Sequence, residues 1–204
     1  MGTSFDPRSL YQIGYGLYVL TTREDGRDNG CIVNTVMQVT SSPCLVAVTV
    51  NKSNYTCSII ERTGMLNINS LTKDTPFELF KRFGYQSGRD CDKFESLSVE
   101  RSGNGIAVLR EHTCGFISLE VERKIDLGSH IMFFCTPVEG ALTSGEETVS
   151  YTYYQKNIKP SPEKTEKKKG FICEICGYIY EGETLPEDYV CPVCKHGREV
   201  FKPL

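Results

Sequence analysis

Two cysteine pairs near the C-terminus constrain the fold of this chain more than any other feature. Cys173, Cys176, Cys191 and Cys194 form the pattern C-x2-C-x14-C-x2-C within residues 170–204. A segment this short cannot bury enough apolar surface to fold without a metal or another cross-link. Two CxxC pairs bring together four thiolates, which suit a tetrahedral zinc or iron site. We therefore predict a metal module at residues 170–204, with these four cysteines as the ligands.

The residues around the cysteine pairs bear on which metal is bound. Gly177 directly follows a ligand pair, and Tyr178, Tyr180, Tyr189 and Phe201 supply aromatic rings. A glycine at this position lets main-chain N–H groups turn towards sulfur, which raises the reduction potential of an iron site. Aromatic rings keep water away from the metal. The thiolates alone leave zinc and iron open, whereas these neighbours favour iron.

Length and composition limit the remaining possibilities. The chain has 204 residues, enough for one domain of about 150 residues and a small module. It has neither an apolar run long enough to span a membrane nor a signal-peptide pattern at its start. Ten cysteines then indicate thiols or metal ligands in a reducing cytoplasm. A net charge of -3 argues against nucleic acid as the main partner.

Charge and composition divide the chain into three parts. Residues 1–154 are acidic overall, and residues 155–169 hold six lysines, two glutamates and two prolines. Such a segment cannot form a core, so we predict a flexible linker, with a nucleic-acid patch as the alternative. Residues 170–204 contain six acidic and three basic residues, which predicts a negative face that steers this module onto a basic partner surface.

The first 154 residues are predicted to be mainly β. Short helices are expected from Ser53–Asn54 to Ile60 and from Pro76 to Phe83. Many closely spaced strands with few helices indicate a β-barrel. The predicted strands are the segments QIGYGLYVLTT, CIVNTVMQVT, CLVAVTVN, MLNIN, GIAVL, CGFISLEVERKI, HIMFFCTPVEG and VSYTYY.

Two stretches of the barrel carry groups that could bind a ligand. In VNKSNYTCSII a strand is followed by Lys52 and by the start of a helix, an arrangement that suits a phosphate monoester. Simple helix capping by Ser53 or Asn54, with Lys52 in solvent, is the alternative. In NGCIVNTVMQVTSSP, hydrogen-bonding and apolar side chains alternate, which suits a flat heterocycle with polar edges or a half-exposed strand.

These motifs, together with YGLYVLTT, MLNINSL and FGYQSGRDCDKF, resemble the flavin reductase-like family of FMN-binding split barrels over residues 8–155. The resemblance implies a six-stranded split β-barrel, a homodimer and FMN near the subunit interface. It also implies that His130 polarises the flavin edge or the nicotinamide, unless this histidine is structural. The residues implied to contact FMN are Asn34, Thr35, Gln38, Val39, Thr40 and Ser41 at the ring, Lys52, Asn54, Tyr55 and Thr56 at the phosphate, and Asn69, Leu71, Ser87 and Lys93 elsewhere.

The C-terminal pattern C-E-x-C-G-Y-x-Y-E-G followed by P-x-x-Y-x-C-P-x-C resembles the rubredoxin domains, including those of rubrerythrins. The resemblance covers residues 170–204 and implies one iron ion held by four cysteines. Lys195 departs from the pattern, because the family has glycine after the last cysteine. A residue other than glycine must either adopt the same turn or change it.

The combination of a two-electron and a one-electron cofactor is similar to the high-molecular-weight rubredoxins of anaerobes. It implies an oxidoreductase in which NADH or NADPH gives a hydride to FMN and single electrons leave through the iron. The implied acceptor is a flavodiiron protein that reduces nitric oxide or oxygen. Two alternatives remain: a flavin reductase that supplies reduced flavin to a monooxygenase, and a non-catalytic flavin-binding protein with a zinc ribbon.

Overall fold

The computed structural model describes residues 5–160, 170–175 and 177–204. The chain forms two compact units, Met1–Lys159 and Pro160–Leu204. Cys176 and residues 161–169 of the predicted linker lie outside the described residues, so the predictions about them remain predictions. Among the helices that the structure describes, none combines the length and the apolar composition needed to cross a membrane.

The first unit is built on one antiparallel sheet of seven strands in the order β2-β1-β5-β8-β9-β4-β3. A separate pair, β6 (Val99–Arg101) and β7 (Ala107–Leu109), lies outside this sheet. The seven strands are β1 (Tyr18–Glu24), β2 (Arg27–Val33), β3 (Val36–Ser41), β4 (Cys44–Asn51), β5 (Met65–Leu71), β8 (Thr113–Asp126) and β9 (His130–Leu142).

The connection from β2 to β3 shows that this sheet is closed. The two strands lie at opposite ends of the sheet order, but only Asn34 and Thr35 separate Val33 from Val36. Three Cα-to-Cα steps span at most about 11 Å. The two edges of the sheet therefore approach each other, and the sheet forms a barrel. The predicted mainly β split barrel is confirmed.

The predicted strand at residues 31–40 is in fact two strands. The strand is interrupted at Asn34 and Thr35, and the Thr35 hydroxyl donates to the carbonyl oxygen of Thr49 at 2.7 Å. The Thr49 N–H in turn donates to the carbonyl oxygen of Thr35 at 3.0 Å. Because this break divides the segment between β2 and β3, the barrel has seven strands instead of the six that the resemblance implied.

The segment VSYTYY also differs from its prediction. It contributes one isolated bridge, between Gly16 and Ser150, and then turns into a helical segment over residues 151–158. The Ser150 hydroxyl accepts a hydrogen bond from the Tyr153 N–H and so caps this segment. The helix carries Tyr154 against Phe80, with the two ring centroids 4.5 Å apart. Aromatic packing therefore takes this segment out of the sheet.

The described part of the first unit contains three helices, and the first two begin within a residue or two of their predicted starts. Gly64 ends the first helix in the left-handed conformation, with φ 68°, as glycine does at many helix ends. Short 3-10 turns lie at Pro7–Gln12 and, in the second unit, at Arg198–Val200. The helices are α1 (Tyr55–Thr63), α2 (Phe77–Gly84) and α3 (Tyr151–Tyr153), the last continuing as a π-helical turn at Tyr154–Ile158.

Alternation along β1 separates two hydrophobic cores. Leu20 points into the barrel, where it packs with Val48, Phe133 and other residues of the strands. Its neighbour Val19 belongs to a second core with Phe80 of α2. Successive side chains of a strand point to opposite faces, so β1 is buried on both sides. The second core holds α2 and the helical segment 151–158 against the barrel.

The second unit is a small sheet of three strands in the order β11-β10-β12. These strands are β10 (Phe171–Cys173), β11 (Ile179–Tyr180) and β12 (Phe201–Pro203). Among the described residues of this unit, the buried hydrophobic cluster consists of Cys173, Leu185, Cys191 and Phe201. A core of this size contributes little stability, in agreement with the need for a metal.

Candidate functional site

The polar strand predicted to line the flavin ring is β3, at one edge of the sheet order. Gln38, Val39, Thr40 and Ser41 are exposed along it. The register with β4 shifts between Gln38 and Thr40, which marks a β-bulge. A bulge bends a strand and redirects its side chains. β3 therefore presents a row of hydrogen-bonding groups at the surface, next to Asn34 and Thr35, which are partly buried.

The predicted phosphate end lies where β4 leads into α1. The Asn51 side-chain oxygen accepts a hydrogen bond from the Ser53 N–H at 2.8 Å, which fixes the turn. Asn54 occupies the N-cap position, but its side chain makes no capping hydrogen bond. The simple capping explanation of this motif therefore does not apply to Asn54.

Inside the turn, Asn54 and Thr56 face the interior of the unit. The Thr56 hydroxyl donates to the side-chain oxygen of Asn29 at 2.9 Å. Burial raises the pKa of the Cys31 thiol, while hydrogen bonds from Thr56 and Asn54 oppose this rise. These side chains thus hold the start of α1 in place from within.

Lys52 supplies the positive charge at this end of the site, and it is paired. Its Nζ lies 2.7 Å from the Asp126 carboxylate, and both groups are largely exposed. The hydrogen bond to Asp126 raises the pKa of Lys52, and the same bond lowers the pKa of Asp126. A bound phosphate would therefore compete with Asp126 for Lys52.

His130 lies close to Lys52. It pairs with Asn51 across β4 and β9, and the Lys52 N–H donates to the carbonyl oxygen of Ser129 at 3.0 Å. The His130 ring contacts the Ser129 hydroxyl at 2.8 Å. β3 pairs with β4 only as far as Val48, three residues before Asn51. His130 is therefore placed at the Lys52 end of the site, and its catalytic role remains a prediction.

Arg89 lies beside the predicted phosphate end, and sequence reasoning missed it. Its guanidinium carbon lies 4.9 Å from the centroid of the Tyr55 ring, and its Nη1 donates to the carbonyl oxygen of Ser53 at 3.3 Å. This contact brings the loop 86–94 across to the start of α1. Ser87 lies in the same loop, where its hydroxyl accepts from the Arg89 N–H at 3.2 Å. The positively charged side chain in the sequence SGRD was the signal from which this residue could have been predicted.

Three residues predicted to touch the cofactor lie inside the unit. Lys93 is 5% exposed, and its ammonium donates to the carbonyl oxygens of Gly30 at 2.9 Å and Phe83 at 3.2 Å. Burial lowers the pKa of Lys93. Asn69 and Leu71 are fully buried in β5. These three side chains are therefore buried, whereas the row on β3 is exposed, and their contact with the cofactor remains a prediction.

Asn69 has a complete set of protein partners. Its side-chain nitrogen donates to the carbonyl oxygen of Val19 at 3.0 Å and approaches the Thr21 hydroxyl at 3.3 Å. Its side-chain oxygen accepts from the Leu109 N–H at 2.9 Å. The amide therefore joins β1, β5 and β7, a role in the fold that the sequence does not reveal.

Tyr55 also lines a cavity of about 330 Å³. Its wall includes Glu24, Asp25, Asp28 and Asp92. Arg27 lines the same wall, and Glu24 and Asp28 pair with arginines, so part of this negative charge is compensated. Lys52 and Arg89 are the cations beside the start of α1.

In the second unit, three cysteines converge. The sulfur atoms of Cys173, Cys191 and Cys194 all lie within 4.8 Å of one another. The Cys173 and Cys194 sulfurs are 3.5 Å apart. A tetrahedral site with metal–sulfur bonds of about 2.3 Å needs sulfurs about 3.8 Å apart. The three described thiols therefore fit a single tetrahedral ion, and Cys176, the predicted fourth ligand, lies outside the described residues.

The two knuckles close with the same main-chain hydrogen bond. The Gly177 N–H donates to the carbonyl oxygen of Cys173 at 2.8 Å, and the Lys195 N–H donates to that of Cys191 at 2.9 Å. Gly177 has φ 76° and Lys195 has φ 60°. Lys195 therefore adopts the left-handed conformation that glycine has at the equivalent position. The departure from the family pattern changes the side chain and leaves the turn intact.

Aromatic rings surround this cluster, as the sequence predicts. The Tyr189 ring packs against Tyr180 and Phe201, with centroid distances of 4.6 and 5.3 Å. Burial, followed by a hydrogen bond with Tyr178, raises the pKa of Tyr189 to about 12. The phenol thus stays neutral beside the thiolates at all ordinary pH values.

The donor groups of both sites suit the cofactors that the resemblances imply. Soft thiolates in a tetrahedral cluster suit iron or zinc and no hard cation. The exposed amide and hydroxyl groups of β3 suit the polar edges of a flavin ring. Lys52, Arg89 and the N-terminus of α1 suit a phosphate.

Comparison with known proteins gives the family. Residues 10–161 match the family described as "Flavin reductase like domain", and residues 171–202 match "Rubrerythrin, rubredoxin-like domain". The first match covers most of the chain. The chain therefore belongs to the flavin reductase-like family and carries a rubredoxin-like domain after it, an arrangement consistent with electron transfer.

Individual relatives agree with this assignment. The high molecular weight rubredoxin of Moorella thermoacetica is 31% identical, over 98% of this chain and 100% of that protein. The ferric-chelate reductase (NAD(P)H) of Archaeoglobus fulgidus is also 31% identical, over 78% of this chain and 95% of that protein. The crystal structure of an FMN-binding protein from Thermus thermophilus has a TM-score of 0.62 at 18% identity, covering 71% of this chain and 80% of that one. This last likeness concerns the fold alone.

Proposed function

We propose that the chain is an NAD(P)H-dependent oxidoreductase that passes electrons from FMN in the first unit, through iron in the second, to an acceptor protein. FMN accepts a hydride and releases electrons singly, and a four-thiolate iron site carries one electron at a time. The observation that carries this proposal is the convergence of Cys173, Cys191 and Cys194 within 4.8 Å, in a chain whose other unit is a flavin reductase-like barrel.

The residues of the barrel would bind the flavin in two groups. The exposed row on β3, from Gln38 to Ser41, would face the ring. Lys52 and Arg89 would hold the phosphate at the start of α1, where main-chain N–H groups and the helix dipole favour an anion. Arg89 replaces Lys93 in this proposal, because the Lys93 ammonium is engaged by two main-chain carbonyl groups.

The cysteines of the second unit would hold the iron and exclude other chemistry there. Cys173 and Cys191 are fully buried, and Tyr180, Tyr189 and Phe201 pack around them. Four thiolate ligands leave no open position for a substrate, so the site carries electrons without binding a reactant. This separation of roles assigns hydride acceptance to the barrel and electron exit to the small unit.

Two finer parts of the proposal rest on the resemblance. A homodimer is proposed, with FMN near the interface between the subunits. The acceptor is proposed to be a flavodiiron protein that reduces nitric oxide or oxygen. The Moorella thermoacetica relative is named a high molecular weight rubredoxin, which supports a role in electron transfer. That name does not identify the acceptor.

A Cys191→Ala variant tests the division of roles. We expect this variant to lose its iron and all electron transfer to an acceptor protein. Its rate of NADH oxidation by oxygen should stay within about twofold of the wild-type rate. Iron content, flavin content and both rates would be measured on the same preparation. Cys114→Ala is the matched control, because Cys114 is a buried cysteine of the barrel outside the sulfur cluster.

The outcome separates the proposal from its alternatives. If Cys191→Ala leaves transfer to the acceptor unchanged, the iron is not on the electron path. If the wild-type protein releases reduced flavin, and a monooxygenase consumes that flavin as fast as it is released, the chain is a flavin reductase. If the cluster contains zinc and no iron after aerobic and anaerobic expression, the small unit is structural.

A further inference from the structure

The cavity of about 330 Å³ beside Tyr55 takes no part in the proposed flavin and iron sites. It lies where the β1–β2 hairpin, the first two turns of α1 and the loop 86–94 meet. Its volume is within the range of pockets that bind small molecules. The chemistry of its wall therefore indicates which kind of molecule it accepts.

Asn29 brings a buried hydrogen-bond donor to this wall. The residue is 5% exposed, and its Oδ1 accepts a hydrogen bond from the Thr56 hydroxyl at 2.9 Å. Its Nδ2 group has no acceptor among the described residues. This group lies against Gly88, another residue of the wall, where an added Cβ would come within 2.0 Å of it. A buried donor without a partner is destabilising, which indicates a place for an acceptor atom of a bound molecule.

Arg27 is a second donor on the same wall. It is exposed and, unlike Arg23, Arg62 and Arg101, it has no carboxylate within 4 Å in the described part of the chain. Arg27 and Asn29 are two positions apart in β2, so their side chains point to the same face of the strand. The two donors therefore suit one shared acceptor, an anionic oxygen.

The wall also contains four carboxylates, two of which are already paired. Glu24 is held by Arg62 at 2.6 Å. Asp28 is held by Arg23 at 2.9 Å and by Arg101 through two hydrogen bonds. The charges of both carboxylates are therefore offset, and neither opposes a bound anion.

Asp25 and Asp92 are the carboxylates of the wall that have no cation within 4 Å in the part of the chain that the structure describes. Asp92 accepts a main-chain hydrogen bond from the Phe94 N–H at 2.8 Å. An ionised carboxylate accepts hydrogen bonds and donates none, so both groups suit hydroxyl or amino groups of a ligand. Acidic side chains bind the ribose hydroxyls of nucleotides in this way.

The rest of the wall includes apolar groups. Ile59 and Phe94 are almost fully buried, and Tyr55 joins them. A flat aromatic base packs well against such side chains. Tyr55 is also the first residue of α1, where the phosphate of the flavin is proposed to bind. The cavity therefore adjoins the phosphate end of the proposed flavin site.

An anion, a pair of hydroxyl groups and a flat base occur together in a nucleotide. We propose that the cavity binds the adenosine monophosphate part of a dinucleotide. The phosphate contacts Arg27 and Asn29. The ribose contacts Asp25 and Asp92, and the base packs against Tyr55. This inference rests on the proposed function and deepens it, because NADH and FAD, the dinucleotides of hydride transfer, both carry this group.

Cys91 provides a reporter for the cavity, because it is exposed and belongs to the wall. The iron-loaded full chain, without flavin, would be treated with iodoacetamide, and mass spectrometry would follow the Cys91 peptide in timed samples. We expect saturating AMP to slow the alkylation of Cys91 by at least about fivefold, because a bound ligand blocks access to the thiol. Cys44, which lies outside the wall, should react at an unchanged rate.

Two substitutions test the assigned contacts. Arg27→Ala removes a charged donor and should weaken the binding of AMP about tenfold. Gly88→Ala puts a methyl group against the Asn29 amide and should also weaken it. The affinity comes from the ratio of Cys91 rates with and without AMP at increasing concentration, so a change in the intrinsic reactivity of the thiol cancels.

Arg198→Ala is the matched control. Arg198 is an exposed arginine of the second unit and, among the described residues, has no carboxylate within 4 Å. We expect its replacement to leave the affinity for AMP unchanged, although it alters the net charge by the same amount as Arg27→Ala. Equal weakening by the two variants would overturn the inference.

The source of the nucleotide is distinguished by the flavin that is present. If the cavity holds the adenosine end of FAD, FAD should protect Cys91 in the flavin-free chain. If it holds the adenosine end of the nicotinamide dinucleotide, NAD+ should protect Cys91 in the FMN-loaded chain. NAD+ is the probe because it carries no hydride and leaves the flavin oxidised. Either result supports the inference and names the ligand.

Two further outcomes would overturn the inference. One is that AMP, FAD and NAD+ all leave the Cys91 rate unchanged. The other is that FMN alone protects Cys91 as strongly as FAD does, since the cavity would then hold the phosphate of the flavin itself.

These measurements remain distinct from a test of the proposed function. If NADH fails to reduce the iron, the proposed function is wrong, and protection by AMP still reports on the cavity. If NADH reduces the iron but no adenine nucleotide protects Cys91, the proposed function stands and the inference about the cavity is wrong.

Discussion

Both units bury cysteines, but for different reasons. In the barrel, Cys57 and Cys135 are almost fully buried among apolar strand residues. Burial raises the pKa of Cys57 to about 11 and that of Cys135 to about 12. In the small unit, Cys173 and Cys191 are equally buried, yet their sulfurs meet that of Cys194 within 4.8 Å.

The difference shows that burial alone does not identify a functional cysteine. A single thiol in an apolar core is neutral and unreactive, because desolvation opposes the thiolate. Several thiols whose sulfurs point to one centre repel each other as thiolates and are stable only around a cation. Convergence of sulfur atoms, measured directly in the structure, is therefore the feature that separates the two groups.

Thiol alkylation should show the largest contrast. In the iron-loaded native protein at about pH 8, the exposed Cys91 should react first, and Cys135 at least about a thousand times more slowly. Because a raised pKa moves the thiolate to higher pH, the Cys135 rate should rise about tenfold per pH unit until it nears pH 12. Mass spectrometry of timed samples would follow each site.

Chelation of the metal sharpens this test. Cys173 and Cys191 should be protected while metal is bound and become reactive when a chelator removes it, whereas Cys135 should remain protected. Unfolding in urea should make all the thiols react at similar rates. Fast labelling of Cys135 in the native protein would contradict the account of its burial.

A smaller effect is expected at Asn69, which resemblance assigned to the flavin and the structure places in the core. Asn69→Ala removes the hydrogen-bond partner of the Val19 carbonyl oxygen, the Thr21 hydroxyl and the Leu109 N–H. Unsatisfied buried groups of this kind cost about 3 kcal/mol in total. Asn157→Ala, which removes one exposed side-chain hydrogen bond, should cost less than about 0.5 kcal/mol. Urea unfolding followed by tyrosine fluorescence would measure both.

The opposite result at Asn69 would also be informative. If Asn69→Ala leaves the free energy of unfolding unchanged and instead weakens FMN binding, Asn69 contacts the cofactor as the resemblance implied. The flavin site would then extend into the barrel wall at β5.

The smallest effects are expected at the exposed charge pair beside α1. Lys52→Ala should weaken FMN binding by about threefold to fivefold, and Asp126→Asn should tighten it, because Lys52 loses its competing carboxylate. Both effects should diminish in high salt. Lys124→Ala is the control, since it breaks another exposed pair of the same type, with Glu61. Equal weakening by Lys52→Ala and Asp126→Asn would contradict a direct role for Lys52 at the phosphate.

The metal module could be predicted from sequence because its ligands are set by local spacing. Each CxxC pair places two thiols on one turn, so no knowledge of distant contacts is needed. The sequence also showed that Lys195, in place of the family's glycine, must either adopt the same turn or change it. Which of them the chain adopts depends on the main-chain conformation, and the structure gives φ 60°.

The candidate flavin site could be predicted only in part, because its proposed residues meet through strand pairing between distant segments. The polar row on β3 and the turn at Lys52 were visible as local patterns. The break at Asn34–Thr35 was not, because it results from closure of the barrel between its two edge strands. The burial of Lys93 and the reach of Arg89 to Tyr55 likewise depend on how loop 86–94 folds back.

The central claim is that electrons pass from the flavin unit to the metal unit of the same protein. Anaerobic stopped-flow mixing of the FMN- and iron-loaded chain with NADH tests it most directly, with the flavin and the ferric–thiolate absorption bands followed together. The account predicts that the flavin band bleaches first and that the iron band then bleaches within the same turnover. An iron band that persists after complete flavin reduction would contradict it.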